Sequence, residues 1–342
     1  MQIKSQFGNY DIAFKNNFKE SKNKKYFYIV DSFFKKNTLK YNKTNTIFIK
    51  SSEKIKSYDY VSIVIKQLLN KGIDKNSTLV CVGGGTVQDL TSFISNILFR
   101  GISWVFIPTT LLAQCDSCIG SKIAINFQKT KNVIGGYCPP KKVFIDFDLL
   151  KTLKRSDFLS GLGEMSHYYY LSTNNNFKFF SKNILHFFDR KEINLKKLIY
   201  KSLNIKKYFI EKDEFEKNIR IFLNYGHSFG HAIEALSKFK IPHGIAVSLG
   251  MQIANYVSYR LGHITKKQLV ILQKPLELIT KNYTFNGFSE IKMIKILIKD
   301  KKTTNNNIRL ILIKNIGKPF IYQVRNKNLL IKYLADFKKN LI

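Results

Sequence analysis

Thr78-Leu79-Val80-Cys81-Val82-Gly83-Gly84-Gly85-Thr86-Val87-Gln88-Asp89 is the stretch that decides the fold class. Its first part is a short apolar run, the pattern of a strand buried on both faces. Three glycines follow, and then a helical pattern from Thr86 to about Phe99. A strand handed to a helix through glycines lets the backbone come close to a phosphate. The helix then aims its unpaired N–H groups and positive dipole end at that anion. The spacing is not the G-x-G-x-x-G of a dinucleotide fingerprint, so a tight turn without a ligand is the alternative.

Outward from this turn, Tyr26–Val30, Thr46–Lys50 and Ser103–Ile107 read as further strands, the last stopped by Pro108. A helix is expected from Glu53 to Lys71, capped by Ser51 or Ser52 and stopped at Gly72. Strands alternating with helices predict a parallel, doubly wound sheet. Asp31, at the end of its strand, is placed to accept bonds from a ribose hydroxyl at the carboxyl edge of such a sheet. From about Leu150 the pattern turns helical, with Leu195, Leu198, Ile199, Leu203 and Ile205 near helical spacing. Two short strands, Ile308–Ile313 and Pro319–Tyr322, precede a last helix at Asn328–Phe337. The expectation is an α/β domain over residues 1–150 and a mostly α-helical domain over 151–342.

The 342 residues carry 57 Lys plus Arg against 23 Asp plus Glu, a formal charge of +34. Such a charge invites a polyanion partner. Only seven of those cations are Arg, the residue whose fork reads bases and phosphates. The Lys residues are spread along the chain, beside an excess of Asn, Ile, Phe and Tyr that A/T-rich codons explain. No specific nucleic-acid partner is therefore expected. One long uncharged stretch, Gly101 to Cys115, contains Pro108 and falls short of the ~20 residues of a membrane span. The first residues lack the apolar core of a secretory signal. Four Cys make no disulfide framework, and Cys115-x-x-Cys118 is a lone pair best read as structural. A reducing, cytoplasmic compartment is the expectation, with no membrane partner.

Three of the six His fall between residues 227 and 243. His227 and His231, four apart, share one helix face, and His243 opens the next helical stretch after Pro242. Two or three imidazoles with one carboxylate form the usual set for a catalytic zinc. Spacing leaves Glu164 and Glu234 as candidates for the carboxylate, and does not choose between His231 and His243. A third segment, Asp116 to Lys122 followed by Lys131-Asn132, reads as a charged, glycine-containing loop suited to an anionic, hydroxylated ligand, or simply as a solvated loop.

Taken in order, these segments resemble the 3-dehydroquinate synthase family of sugar phosphate cyclases. The likeness rests on Gly83-Gly84-Gly85 with Asp89-Leu90, Arg100-Gly101, Pro108-Thr109-Thr110-Leu111-Leu112-Ala113-Gln114, Asp116-Ser117 and Lys131-Asn132. It continues through Ser160-Gly161-Leu162-Gly163-Glu164, Leu223 to Glu234, His243-Gly244, Asp300-Lys301-Lys302 and Arg309-Leu310-Ile311-Leu312. The resemblance implies a dehydroquinate synthase-like fold, an N-terminal NAD-binding domain with a C-terminal metal-binding domain, and a homodimer. It implies that Glu164, His227 and His243 hold zinc or cobalt. NAD contacts would fall on Asp31, Glu53, Lys56, Gly84, Gly85, Asp89, Thr109 and Thr110, with Lys122 and Lys131 shared between cofactor and substrate. His231, Lys206, Asp116, Arg220 and Asn224 would serve catalysis, and Asn132, Glu216 and Lys301 would bind substrate. Arg100 would reach the substrate phosphate of the neighbouring subunit.

The substrate so implied is 3-deoxy-D-arabino-heptulosonate 7-phosphate, a phosphorylated sugar acid. It becomes 3-dehydroquinate and phosphate, in the shikimate pathway, by transient oxidation, phosphate elimination, re-reduction and intramolecular aldol closure. Four positions depart from the family pattern. Gln88 and Ser92 stand where Gly is usual, and Gln88 would crowd a backbone that needed φ > 0. His167 replaces a Lys, and Ile245 replaces a Glu. Loss of a cation near the substrate leaves open a related cyclase acting on sedoheptulose 7-phosphate or glucose 6-phosphate.

Overall fold

The uninterrupted apolar runs become the central strands of a parallel sheet, because a strand covered on both faces cannot alternate polar and apolar side chains. The computed structural model describes residues 1–15, 18–22, 24–36, 43–128, 130–283, 288–299 and 308–340. The chain divides into two compact units, Met1–Leu153 and Lys154–Ile342.

In the first unit the elements are β1 (Gln2–Ile3), β2 (Tyr10–Ala13), β3 (Tyr26–Asp31), β4 (Thr46–Ile49), α1 (Tyr58–Asn70), β5 (Thr78–Gly83) and α2 (Gly85–Ile97). After these come β6 (Ser103–Pro108), β7 (Lys122–Phe127), β8 (Thr130–Tyr137) and β9 (Lys142–Phe144). Among the described residues, seven strands form one sheet in the order β1-β2-β9-β6-β5-β3-β4, with every pairing parallel except β1–β2. The register sets Val30 opposite Val82 and Gly83 opposite Pro108. Asp31, the glycine turn and Thr109-Thr110 therefore share the carboxyl edge of the sheet, where open α/β sheets bind ligands. One face packs Tyr28, Val30, Val80, Val82, Val105, Ile107 and Phe144 into a core.

Three expectations change here. The helix expected from Glu53 begins only at Tyr58: Glu53–Ile55 is one 3-10 turn, and the Ser57 hydroxyl caps α1 by accepting from Tyr60 N. Ser52 makes no side-chain cap, and Gly72, at φ +80°, marks the stop as expected. The helix expected to reach Phe99 ends at Ile97, because Phe99 and Arg100 take left-handed φ values of 52° and 67°. The charged segment expected as a loop is one only over residues 118–121. Asp116 sits on a single π-helical turn, Ala113–Ser117, and Lys122, Lys131 and Asn132 lie on the antiparallel hairpin β7–β8.

The second unit comprises α3 (Arg155–Tyr170), α4 (Asn174–Phe188), α5 (Glu192–Lys212), α6 (His227–Leu236), α7 (His243–Arg260), α8 (Lys266–Thr280) and α9 (Glu290–Lys299). The hairpin β10 (Arg309–Asn315) and β11 (Lys318–Gln323) and a last helix, α10 (Lys327–Asn340), complete it. Helices α3 and α7 are buried on every side, from Phe158 to Tyr170 and from Gly244 to Ser258. Helices buried on every side occupy the centre of a helical domain. Among the described residues, no helix is long and apolar enough to cross a membrane.

Candidate active site

In the second unit, glycines set where the ligating side chains meet. A Cβ on Gly244 would lie 1.8 Å from Ser160 O, and one on Gly163 would lie 2.1 Å from Gly244 O. Helices α3 and α7 thus cross backbone to backbone, and the Ser160 hydroxyl accepts from Gly244 N at 3.0 Å. Glu164 and His243, each adjacent to one of these glycines, are carried together. Helix α6 approaches α7 in the same way, since a Cβ on Gly250 would lie 2.1 Å from Gly226 O. Gly226 itself holds φ +83° immediately before His227.

Glu164 lies between the two imidazoles. Its Oε1 is 3.3 Å from His227 Nε2 and its Oε2 is 3.3 Å from His243 Nε2. The outward nitrogens are also engaged: His227 Nδ1 meets Tyr225 O at 3.3 Å, and His243 Nδ1 meets Glu234 Oε2 at 3.1 Å. A proton on each Nδ1 leaves each Nε2 as the atom that meets Glu164, where it can carry a proton toward the carboxylate or offer its lone pair to a metal ion. Burial pushes the Glu164 carboxyl up, but the charges of His227 and His243 outweigh it and hold the group well below the usual carboxylate range. Burial pushes His243 down, but Glu164 and then Glu234 raise it well above the ordinary imidazole value.

One ligand atom from each of Glu164, His227 and His243 lies within 4.8 Å of the others. Glu164 Oε2 is buried and receives no hydrogen bond of good geometry, which a bound cation would remedy. Two imidazoles and a carboxylate, with the His243 side chain 35% exposed, fit a zinc or cobalt ion with an open position. His231, one turn beyond His227, is exposed, and its ring lies 5.7 Å from that of His227 and 5.8 Å from that of His243. It borders the cluster and forms a second group with Glu234 and His243. His167 is buried with its ring 5.3 Å from that of His227, so it supports a ligand by packing. Ile245 is fully buried in α7.

The other sites expected in this unit are placed as follows. Lys206 is buried on α5. Arg220 is buried, with its backbone N–H bonded to Asp213 Oδ2 at 3.0 Å and its guanidinium donating to Glu214 O. The Asn224 amide donates to the Glu216 carboxylate, and Glu216 holds φ +59°. These last two line a cavity of about 350 Å³ with Phe215, Ile221, Ser228, Arg309 and Ile311. Arg309 was given no role from sequence. Its Nε is buried, and among the described residues its side chain makes no hydrogen bond or ion pair. Its place in the C-terminal motif was the only available signal. Lys301 lies outside the described residues.

In the first unit a polar chain joins five of the expected residues. Lys56 Nζ lies 2.7 Å from Asp89 Oδ2 and donates to Asn132 Oδ1 at 2.7 Å. Asn132 N donates to Asn126 Oδ1 at 2.9 Å, the Asn126 amide donates to Glu53 at 2.8 Å, and Lys131 lies 4.0 Å from Glu53. Burial raises the Asp89 carboxyl, although Lys56 opposes it. Gly84 caps α2 in extended conformation, and its need is space, since a Cβ would lie 2.9 Å from Thr110 Cγ2. Gly85 is not so constrained. Thr109 N donates to Gly83 O at 3.0 Å, and the Thr110 hydroxyl accepts from Ala113 N at 3.1 Å.

Asp31 accepts from Phe33 N at 3.0 Å, capping a short turn. Asp116 is half-buried, while Lys122 and Arg100 are exposed. The position of Gln88 needs no positive φ, so Gln88 does not crowd the turn: it lies in α2 and its amide donates to Ser117 O at 2.7 Å. The Ser92 hydroxyl bonds back to Gln88 O at 2.8 Å.

A parallel α/β unit followed by a helical unit is an architecture shared with solved enzymes. The fold matches 2-deoxy-scyllo-inosose synthase, solved with carbaglucose-6-phosphate, NAD+ and Co2+, at a TM-score of 0.86, 23% identity and 99% coverage of both chains. It matches 2-epi-5-epi-valiolone synthase from Streptomyces hygroscopicus, solved with NAD+ and Zn2+, at 0.86 and 19% identity over 97% of both chains. The sequence models of the 3-dehydroquinate synthase N-terminal and C-terminal regions match residues 46–160 and 161–303. The 3-dehydroquinate synthase of Dictyoglomus thermophilum is 38% identical over 301 residues, 87% of this chain and 84% of that protein. That of Helicobacter pylori strain P12 is 36% identical over 272 residues, 79% and 77% of the two chains. The chain belongs to the 3-dehydroquinate synthase family.

Proposed function

We propose that the protein is a metal- and NAD-dependent cyclase that converts 3-deoxy-D-arabino-heptulosonate 7-phosphate to 3-dehydroquinate and phosphate. The observation that carries this reading is the Glu164 carboxylate flanked by two imidazole Nε2 atoms at 3.3 Å each, in a chain of this family. When bound, the divalent metal supplies Lewis acidity toward a substrate hydroxyl and NAD+ supplies a reversible hydride acceptor. Glu164, His227 and His243 would hold the metal. The first unit, residues 1–153, would hold NAD through its glycine turn, Thr109-Thr110 and the Lys56–Asp89 pair, with Lys122 and Lys131 close to the same ligands.

The remaining residues act on the substrate's charges. Arg220, Lys206, Lys301 and Asn132 neutralise or hydrogen-bond carboxylate and phosphate, and Asn224 and Glu216 orient hydroxyls. His231, exposed beside the metal ligands, is suited to exchange a proton with the substrate. Arg100, exposed on a left-handed turn, would reach a neighbouring subunit, which makes the working form a homodimer in the cytoplasm.

The test is phosphate release by purified protein supplied with NAD+, Zn2+ or Co2+ and the heptulosonate phosphate. The expected result is metal-dependent release that Glu164→Ala or His227→Ala abolishes. A second reading is a sister cyclase acting on sedoheptulose 7-phosphate. It is favoured by the buried His167, which places no long cation beside His227. Release from sedoheptulose 7-phosphate alone would establish that reading. Light scattering of the purified protein reads the subunit count, and a monomer would remove the role given to Arg100.

A further inference from the structure

Glu234 was a candidate ligand by spacing, yet the structure turns it to the opposite side of His243 from the metal-facing carboxylate. His243 Nε2 faces Glu164 Oε2 at 3.3 Å, whereas His243 Nδ1 faces Glu234 Oε2 at 3.1 Å. His227 shows the same division, with Nε2 toward Glu164 at 3.3 Å and Nδ1 toward the Tyr225 carbonyl at 3.3 Å. Each imidazole is therefore held from behind by an oxygen acceptor, a main-chain one for His227 and a carboxylate for His243.

The position of Glu234 is itself fixed. It closes the last turn of α6, where its carbonyl accepts from Phe239 N at 2.8 Å and from the Ser237 hydroxyl at 3.0 Å. Ser237 Oγ accepts in turn from Ile241 N at 3.4 Å, and Lys238 and Phe239 make the sharp turn at φ +53° and +60°. The six-residue link from Ser237 to Pro242 is pinned to the Glu234 backbone while it delivers His243 to the start of α7. The Glu234 side chain is 15% exposed, so the carboxylate that meets His243 is itself largely out of water.

We infer that Glu234 is a positioning residue for metal binding. It accepts the proton of His243 Nδ1, fixes that tautomer and ring orientation, and leaves Nε2 as the lone-pair donor toward the ion. A carboxylate behind a ligating histidine also makes the imidazole a stronger donor, and loss of such a partner typically lowers metal affinity about 10- to 100-fold. The inference rests on the metal-site reading of Glu164, His227 and His243.

The experiment measures Co2+ and Zn2+ affinity of the wild type, Glu234→Gln and Glu234→Ala by competition with a chelator, with the Co2+ visible spectrum as a second readout. Circular dichroism checks that each variant is folded. The expected result is one ion per chain in all three. Affinity falls about 10- to 100-fold in Glu234→Ala and by a smaller factor in Glu234→Gln, whose amide oxygen still accepts from Nδ1. Folded Glu234→Ala with wild-type affinity and an unchanged Co2+ spectrum would overturn the inference while leaving the cyclase reading intact. A second ion per chain that Glu234→Ala abolishes would overturn it too, by making Glu234 a ligand with His231 and His243. A wild type that binds no divalent ion would refute the metal-site reading itself.

Discussion

Replacing Gly244 by Ala places one methyl group at the point where α3 and α7 touch. The added Cβ would stand 1.8 Å from Ser160 O and 2.7 Å from Glu164 N, both main-chain atoms that no rotamer change can move. A carbon–oxygen contact needs about 3.3 Å, so the two helices must part by about 1.5 Å. Overpacking of this kind costs about 3 kcal/mol, at the upper end of the usual range because both sides are backbone. For a domain of this size that is a fall in Tm of about 6–12 °C. The parting also opens the 3.3 Å approach between Glu164 Oε2 and His243 Nε2. Metal ligation tolerates ~0.2 Å, so affinity should fall at least about 100-fold. Thermal denaturation of the metal-free protein and a chelator competition read the two effects separately. Gly136→Ala, where a Cβ meets nothing within 4 Å, is the control and should change stability by less than about 0.5 kcal/mol. A Gly244→Ala protein with the wild-type Tm and wild-type metal affinity would refute the claim that the glycine crossing builds the site.

In the metal-free protein, stability should depend on pH in two windows. The lowered Glu164 contributes stability above its unfolded value of about 4.3 that is lost as pH falls through its folded value. The raised His243 contributes stability fully present below about 6.5 that is lost as pH rises through its folded value, so Tm should decline as pH rises above about 6.5, and His243→Gln should flatten that decline. Metal affinity should run the other way, rising with pH as the ion competes with the proton, and an affinity independent of pH would contradict the ligand assignment. Lys56→Met should cost about 2 kcal/mol in chemical denaturation by leaving Asp89, 24% exposed, without its partner, and a loss below about 0.5 kcal/mol would show that water replaces the ammonium. Arg309→Ala should raise KM for the phosphorylated substrate about 10-fold or more with kcat little changed, the worth of one charged hydrogen bond. An unchanged KM would remove Arg309 from the site.

The parts of the fold legible in the sequence were those whose signal is local. The glycine turn after β5, the helical spacing of His227 and His231, and the buried strands announce themselves within a dozen residues. The start of α1 was misplaced because Ser51, Ser52 and Ser57 are all competent caps, and only the 3-10 turn between them decides which one is used. The hairpin β7–β8 was hidden by its composition, with exposed Lys, Asn and Thr on β8 and a Gly135-Gly136 pair that reads as loop. Gly135 is needed there because a Cβ would strike Ile123 O at 2.0 Å, a cross-strand fact that sequence does not display. The division of labour between Glu164 and Glu234 was likewise out of reach. Both lie near the histidines, and only the crossing of α3 over α7 shows which nitrogen of His243 each one meets.

The Lys56 ammonium has three N–H donors, and two of them are committed, to Asp89 and to Asn132. Those two bonds fix the direction of the third, so any group that meets it need not immobilise a long, flexible side chain. For a lysine that ordering costs about 1.5–2 kcal/mol. Here it is borne once, when the β7–β8 hairpin folds onto the rest of the first unit, and it weighs on no later round of binding.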